Sequence, residues 1–129
     1  MTAATDTDVV LGFFAAWNLW DLAGVQAVFD PAGVFTPLFG ALVSATRYRG
    51  HDGIAEMLRE LQAEWAEYRY EPEQMLEDGD RVVAIVRIAA RRPTGPVLEA
   101  RAAYVCSVRD GRIVAMTGHD ADETLERLG

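Results

Sequence analysis

Residues 78–113 read DGDRVVAIVRIAARRPTGPVLEARAAYVCSVRDGRI, and this stretch decides the fold. Three turn signals, Asp78-Gly79-Asp80, Pro93-Thr94-Gly95-Pro96 and Asp110-Gly111, punctuate runs of strand length. Arg81 to Arg91 is long and β-branched in its first half. In the next run Leu98, Ala100, Ala102, Tyr104, Cys106 and Val108 alternate with Glu99, Arg101, Ala103, Val105, Ser107 and Arg109. Successive strand side chains point to opposite faces, so one face is mostly apolar and the other mixed. A locally paired antiparallel meander of this kind needs a cover for its apolar face.

The cover lies upstream. Val9, Val10, Phe13, Phe14 and Trp17 recur at helical spacing, with Asp6 or Thr7 placed to cap the start. A second, short helix is predicted after Asp21, carrying Leu22, Val25, Val28 and Phe29 and stopped by Asp30-Pro31. Gly33 to Phe39 reads as an irregular strand or loop, apolar enough to lie over a core or a cavity mouth. The clearest helix is predicted from about Asp52 to Tyr68. Its stripe is Ile54, Met57, Leu58, Leu61, Trp65 and Tyr68, with Glu56, Glu60, Glu64 and Glu67 mostly opposite. Asp122 to Gly129 reads as a helical turn or a loose end. Helices followed by a strand meander define an α+β domain with its helices on one face of a curved antiparallel sheet. With no repeat or linker, residues 1–129 form one domain.

Composition narrows the function classes. A chain of 129 residues buries roughly two-thirds of its unfolded surface, so it needs neither a disulfide nor a structural metal. The one cysteine, Cys106, has no internal partner, which makes the reducing cytoplasm the expected compartment. The N-terminus shows no basic start followed by an apolar run, and no stretch approaches the ~20 apolar residues of a membrane helix. Twenty acidic against twelve basic side chains give a net charge of -8, which repels nucleic acid. The two histidines, His51 and His119, have no metal-ligand spacing, so no metal and no cofactor are expected.

The order of short segments resembles the nuclear transport factor 2-like superfamily, in its bacterial ketosteroid isomerase-like and SnoaL-like polyketide cyclase branch. The segments are Trp20-Asp21-Leu22-Ala23-Gly24, Phe29-Asp30-Pro31-Ala32-Gly33-Val34, Tyr48-Arg49-Gly50-His51-Asp52-Gly53-Ile54, Glu77-Asp78-Gly79-Asp80-Arg81-Val82 and Val108-Arg109-Asp110-Gly111-Arg112-Ile113. The resemblance implies a cystatin-like, cone-shaped roll: a strongly curved antiparallel sheet and about three N-terminal helices enclosing a pocket. Homodimers through the outer sheet face are common in such proteins. Here Ala103 and Val105 would supply the apolar contact, with Arg101 and Arg109 as its polar rim.

Ketosteroid isomerases use an aspartate base with a tyrosine and a protonated aspartate as oxyanion donors. By resemblance these positions fall on Thr36, near Ala16 and near Tyr104, so only the last can donate a hydrogen bond. The polyketide cyclase comparison places an acidic residue on the final strand at Asp120, sharing its alternation face with Met116 and Gly118. The resemblance therefore implies Asp120 and Tyr104 as catalytic residues. Trp17, Phe35, Trp65, Ala102 and Met116 are the implied ligand-binding wall.

Each candidate has a structural alternative. Strand ends commonly carry solvated carboxylates, a buried tyrosine packs well in a core, and His119 points away from Asp120 by alternation. His51 suits a capping or surface role, and Cys106 a quiet buried thiol. Three functions fit: an acid/base enzyme of isomerase, cyclase or dehydratase type acting on a small apolar cyclic or polyketide-like substrate; a non-catalytic small-molecule binder; or a homodimeric interaction module.

Overall fold

The computed structural model describes residues 5–37 and 47–121. Leu38 and Phe39 of the apolar connector, and the segment Asp122 to Gly129, lie outside the described residues. Helix α1 spans Asp6–Asn18 and buries Val9, Val10, Phe13, Phe14 and Trp17, as its spacing predicts. Its cap is Thr5, one residue before the expected position. Thr5 Oγ1 accepts from the Asp8 N–H and Asp8 Oδ2 accepts from the Thr5 N–H, a reciprocal pair that Asp6 or Thr7 cannot build from inside the first turn. Helix α2 (Leu22–Ala27) is capped by Asp21, whose Oδ1 accepts from the Gly24 N–H.

Phe29 belongs to strand β1 (Phe29–Thr36) rather than to the second helix. After the short strand β2 (Tyr48–Arg49), helix α3 occupies Gly50–Glu64. It stops four residues before the predicted end. The Trp65 N–H closes the last turn on the Leu61 carbonyl, Trp65 is already extended, and the Ala66 N–H turns to the Arg91 carbonyl. Tyr68 therefore lies in strand β3 (Glu67–Asp78), followed by β4 (Arg81–Arg91), β5 (Val97–Arg109) and β6 (Arg112–Asp120).

The six strands form one sheet in the order β2-β1-β6-β5-β4-β3. The meander β3-β4-β5-β6 is antiparallel throughout, as expected. Strand β1, however, joins β6 in parallel, which makes the sheet mixed. In the last hairpin both Asp110 and Gly111 have positive φ, the conformation that an Asp-Gly hairpin turn requires.

The even-numbered face of β4 and β5 (Val82, Ala84, Val86, Ile88, Ala102, Tyr104, Cys106) forms one buried cluster with the apolar sides of α1 and α3. On the other face Val83, Ile85 and Ala103 make a smaller buried cluster with Ala121. Ala103 is thus covered within the single chain and Val105 half-buried, so a dimer contact there would meet mainly Val105 and charged side chains. Those charges are paired: Arg87 with Glu71 and Glu99, Arg101 with Glu73, and Arg91 with Glu67. Exposed pairs of this kind contribute at most about 1 kcal/mol each, and they serve register more than stability.

Candidate functional site

The helices and the inner sheet face meet in a wall of aromatic rings. From α1, Trp17 stacks on Phe13 with ring centroids 5.6 Å apart; it also lies nearly parallel to Phe35 of β1 at 6.2 Å. From the sheet, Tyr70 of β3 meets Trp17 edge-on at 5.7 Å, and Tyr104 of β5 at 5.8 Å. Phe35 closes the ring of contacts against Tyr104, again at 5.7 Å. Met116 is register-paired with Phe35 on one side and Cys106 on the other, and Ala102 lies one alternation step from Tyr104. Trp17, Phe35, Ala102, Tyr104 and Met116 are all fully buried in the same cluster. Trp65 stands apart: it packs on Tyr68 at 6.2 Å, under the Arg92 guanidinium at 4.3 Å.

The polar atoms inside this wall are donors. Trp17 Nε1 is buried without a hydrogen-bond partner, as is Trp65 Nε1 outside the wall, while the Tyr70 hydroxyl lies among those of Tyr68 and Tyr104. Among the described residues no Asp, Glu, Lys, Arg or His is buried. Burial drives the Tyr70 hydroxyl well above its ordinary pKa, and the neighbouring Tyr104 and Tyr68 push it further. Hydrogen bonding among the Tyr68, Tyr70 and Tyr104 hydroxyls adds to the rise at Tyr70 and offsets part of it at the other two. Tyr104 is raised by burial first and by Tyr68 second, and Tyr68 is pushed up to about 12 by burial. These phenols stay protonated at neutral pH, so they can donate but cannot act as bases. Burial also pushes the Cys106 thiol up to about 12, which keeps it from being a thiolate nucleophile.

Tyr70 is the residue that the sequence reading passed over. The signal was the alternation Tyr68-Arg69-Tyr70-Glu71, a strand period hidden behind a helix drawn four residues too long. Its position is fixed by Asn18 at the end of α1. The Asn18 Nδ2 donates to the Tyr70 carbonyl at 2.8 Å and its Oδ1 accepts from the Tyr70 N–H at 2.9 Å. Tyr70 lies on β3, an edge strand, so this amide satisfies backbone groups that no further strand meets. Asn18→Ala strands two half-buried backbone groups and is expected to cost about 1–3 kcal/mol in denaturant unfolding.

Asp120 ends β6 opposite Ala102, while Tyr104 pairs with Gly118. The two side chains therefore share a sheet face and stand diagonally, one alternation step apart. Asp120 is nevertheless exposed, because β6 ends there at the sheet margin. It borders an open groove of about 370 Å³ with Arg87, Glu99, Ala100, Arg101 and Ala121. His119 pairs with Ala103 on the opposite alternation. The expected capping or surface role of His51 gives way to a structural one: its Nε2 lies 2.6 Å from the Phe29 carbonyl and ties the start of α3 to β1. Among the described residues no group of three His, Cys, Asp or Glu side chains is placed to hold a metal ion.

The family model of the SnoaL-like domain matches residues 10–116, and the chain belongs to that family, within the nuclear transport factor 2-like superfamily. Among solved structures, an NTF2-like protein from Burkholderia thailandensis is 28% identical with a TM-score of 0.79, the match covering 98% of this chain and 99% of that one. A putative polyketide cyclase from Sinorhizobium meliloti is 22% identical with a TM-score of 0.71, covering 87% of this chain and 94% of that one. TerC, crystallised with polyporic acid, is 21% identical with a TM-score of 0.79, covering 95% of each chain. No curated protein matches the sequence.

Proposed function

We propose that this SnoaL-like protein binds a small, flat, apolar molecule against the wall formed by Trp17, Phe35, Tyr104, Ala102 and Met116. The observation that carries this reading is the wall itself: α1, β1, β5 and β6 each contribute a buried side chain to it, and Tyr70 of β3 adds a second phenol beside Tyr104. Rigid aromatic faces with a few polar atoms are what a site for an apolar ring system needs. TerC, with its polyporic acid, supports the same reading by likeness of fold. A thermal-shift series with polycyclic probes tests it: a saturable rise in the unfolding temperature is expected. A flat response to every probe would leave the wall as core alone.

A second reading adds acid/base chemistry without a cofactor, of cyclase, isomerase or dehydratase type. The register supports it, since Asp120 pairs with Ala102, one alternation step from Tyr104. In this reading Asp120 takes and returns the proton and Tyr104 donates to the substrate oxygen. Asp120→Asn is then expected to lower kcat by about 10²-fold, and Tyr104→Phe by about tenfold, with ligand affinity little changed in the first variant. Full turnover by Asp120→Asn would remove the catalytic reading and leave the binding one standing.

A further inference from the structure

The outer face of the sheet is buried at its centre, although its strands cannot cover it by themselves. Val83 pairs with Leu76 of β3 and with Val105 of β5, and Ile85 pairs with Ala103. Their side chains stand side by side on one face, where strand neighbours shield each other's flanks and leave the outward ends open to water. Yet Ile85 and Ala103 are fully buried and Val83 is only 3% exposed. Among the described members of this cluster only Ala121 lies outside the strands, and one methyl group cannot cap side chains on two of them.

Ala121 shows where the cover enters. It follows Asp120, which is exposed at the sheet margin, but is itself buried, helical and packed into the outer cluster. The chain therefore turns from the end of β6 onto the outer face. The next eight residues read DETLERLG. Leu125 and Leu128 stand four and seven positions after Ala121, on one side of a helical turn, while Asp122, Glu123 and Glu126 fall on the other. Eight residues span about 12 Å at helical rise, enough to cross from β5 over β4 to β3 at about 4.8 Å per strand. The apolar segment 38–46 runs between β1 and β2, whose pairing is three strands away from β4.

We propose that residues 122–129 dock across the outer sheet face of their own chain, with Leu125 and Leu128 against Leu76, Val83, Ile85 and Val105. The occupant of this face is then the chain itself and not a second copy. The proposal is independent of the binding reading, which concerns the opposite face. Burial of the two leucines against the outer cluster supplies the attraction, and the acidic side of the segment stays in water.

Val83→Cys is the reporter, because Val83 is buried on the outer face whereas the native Cys106 is buried on the inner one. Alkylation by iodoacetamide, followed by mass spectrometry, is expected to be slow in the full chain and unchanged by about a hundredfold dilution of the protein. Ending the chain after Ala121 should speed alkylation of the new thiol by about tenfold or more, and Leu125→Ala with Leu128→Ala by about threefold or more. Cys106 must stay unreactive in the same molecules, which separates an opened face from an unfolded chain. If the shortened chain unfolds, the two alanine substitutions, which keep the length, decide the matter. Protection that disappears on dilution and survives both changes identifies a second copy as the occupant and overturns the proposal. Rapid alkylation of the full chain overturns it too, as does protection that neither change nor dilution removes. Protection that needs both the segment and high concentration shows exchange of segments between copies, and overturns the contact within one chain.

Discussion

Trp17→Ala is expected to destabilise the fold by about 3–5 kcal/mol, the largest effect of any single truncation considered in this chain. The indole is fully buried and touches Phe13, Phe35 and Tyr70 at ring-contact distances, so its removal leaves a void bounded by elements from both layers. The surrounding rings are rigid and α1 is held at both ends, by the Thr5 box and by Asn18, which limits how far the void can collapse. Small domains have about 5–15 kcal/mol of stability in total, so the variant should unfold at markedly lower denaturant with a similar slope. Trp17→Phe is the control. It keeps a ring between Phe13 and Phe35 and deletes a donor that has no partner, so it should cost less than half as much. A Trp17→Ala stability within about 1 kcal/mol of the parent would show that the wall is not the cohesive centre of the fold.

The meander was legible because its contacts are local. Alternation from Leu98 to Arg109 put Ala102, Tyr104 and Cys106 on the inner face, and the Asp110-Gly111 turn fixed the register of β5 on β6. The parallel pairing of β1 with β6 was not legible. It joins Phe29 to Ile113 across most of the chain, and no turn residue announces such a contact. The end of α3 was misjudged for a specific reason. Trp65 and Tyr68 continue the helical stripe four and seven residues after Leu61, yet Tyr68 and Tyr70 also begin a strand alternation. Tertiary pairing with β4, through the Ala66 N–H and the Arg91 carbonyl, decides between the two periods. That error hid the place of Tyr70 in the aromatic wall. Alternation gives the register of Asp120 opposite Ala102, but it carries no information about where a sheet meets solvent, and Asp120 lies exposed at the margin.

Gly50→Ala is expected to cost about 2–5 kcal/mol, from two additive causes at one backbone position. Gly50 has φ +66°, a left-handed conformation that costs a residue with a Cβ roughly 1–2 kcal/mol. A Cβ built there would also stand 2.6 Å from the Pro31 carbonyl oxygen, a backbone atom that cannot rotate away; overpacking of this kind costs roughly 1–3 kcal/mol. The position matters because the chain turns there from β2 into α3 against β1. Val34 pairs with Arg49 just before the turn, and the His51 ring is anchored on the Phe29 carbonyl just after it. Relieving the clash requires β1 and the start of α3 to separate, which moves Phe29 and Phe35 within the aromatic wall. The loss should therefore appear in two measurements at once: a lowered denaturation midpoint, and a smaller thermal shift with the polycyclic probes. Gly79→Ala supplies the comparison, since Gly79 has a similar φ of +65° and a methyl group there would have no neighbour within 4 Å. It should lose only the conformational share, about 1–2 kcal/mol. Equal losses at the two glycines would show that the approach of Gly50 to Pro31 contributes nothing, and that α3 is not pinned to β1 at this point.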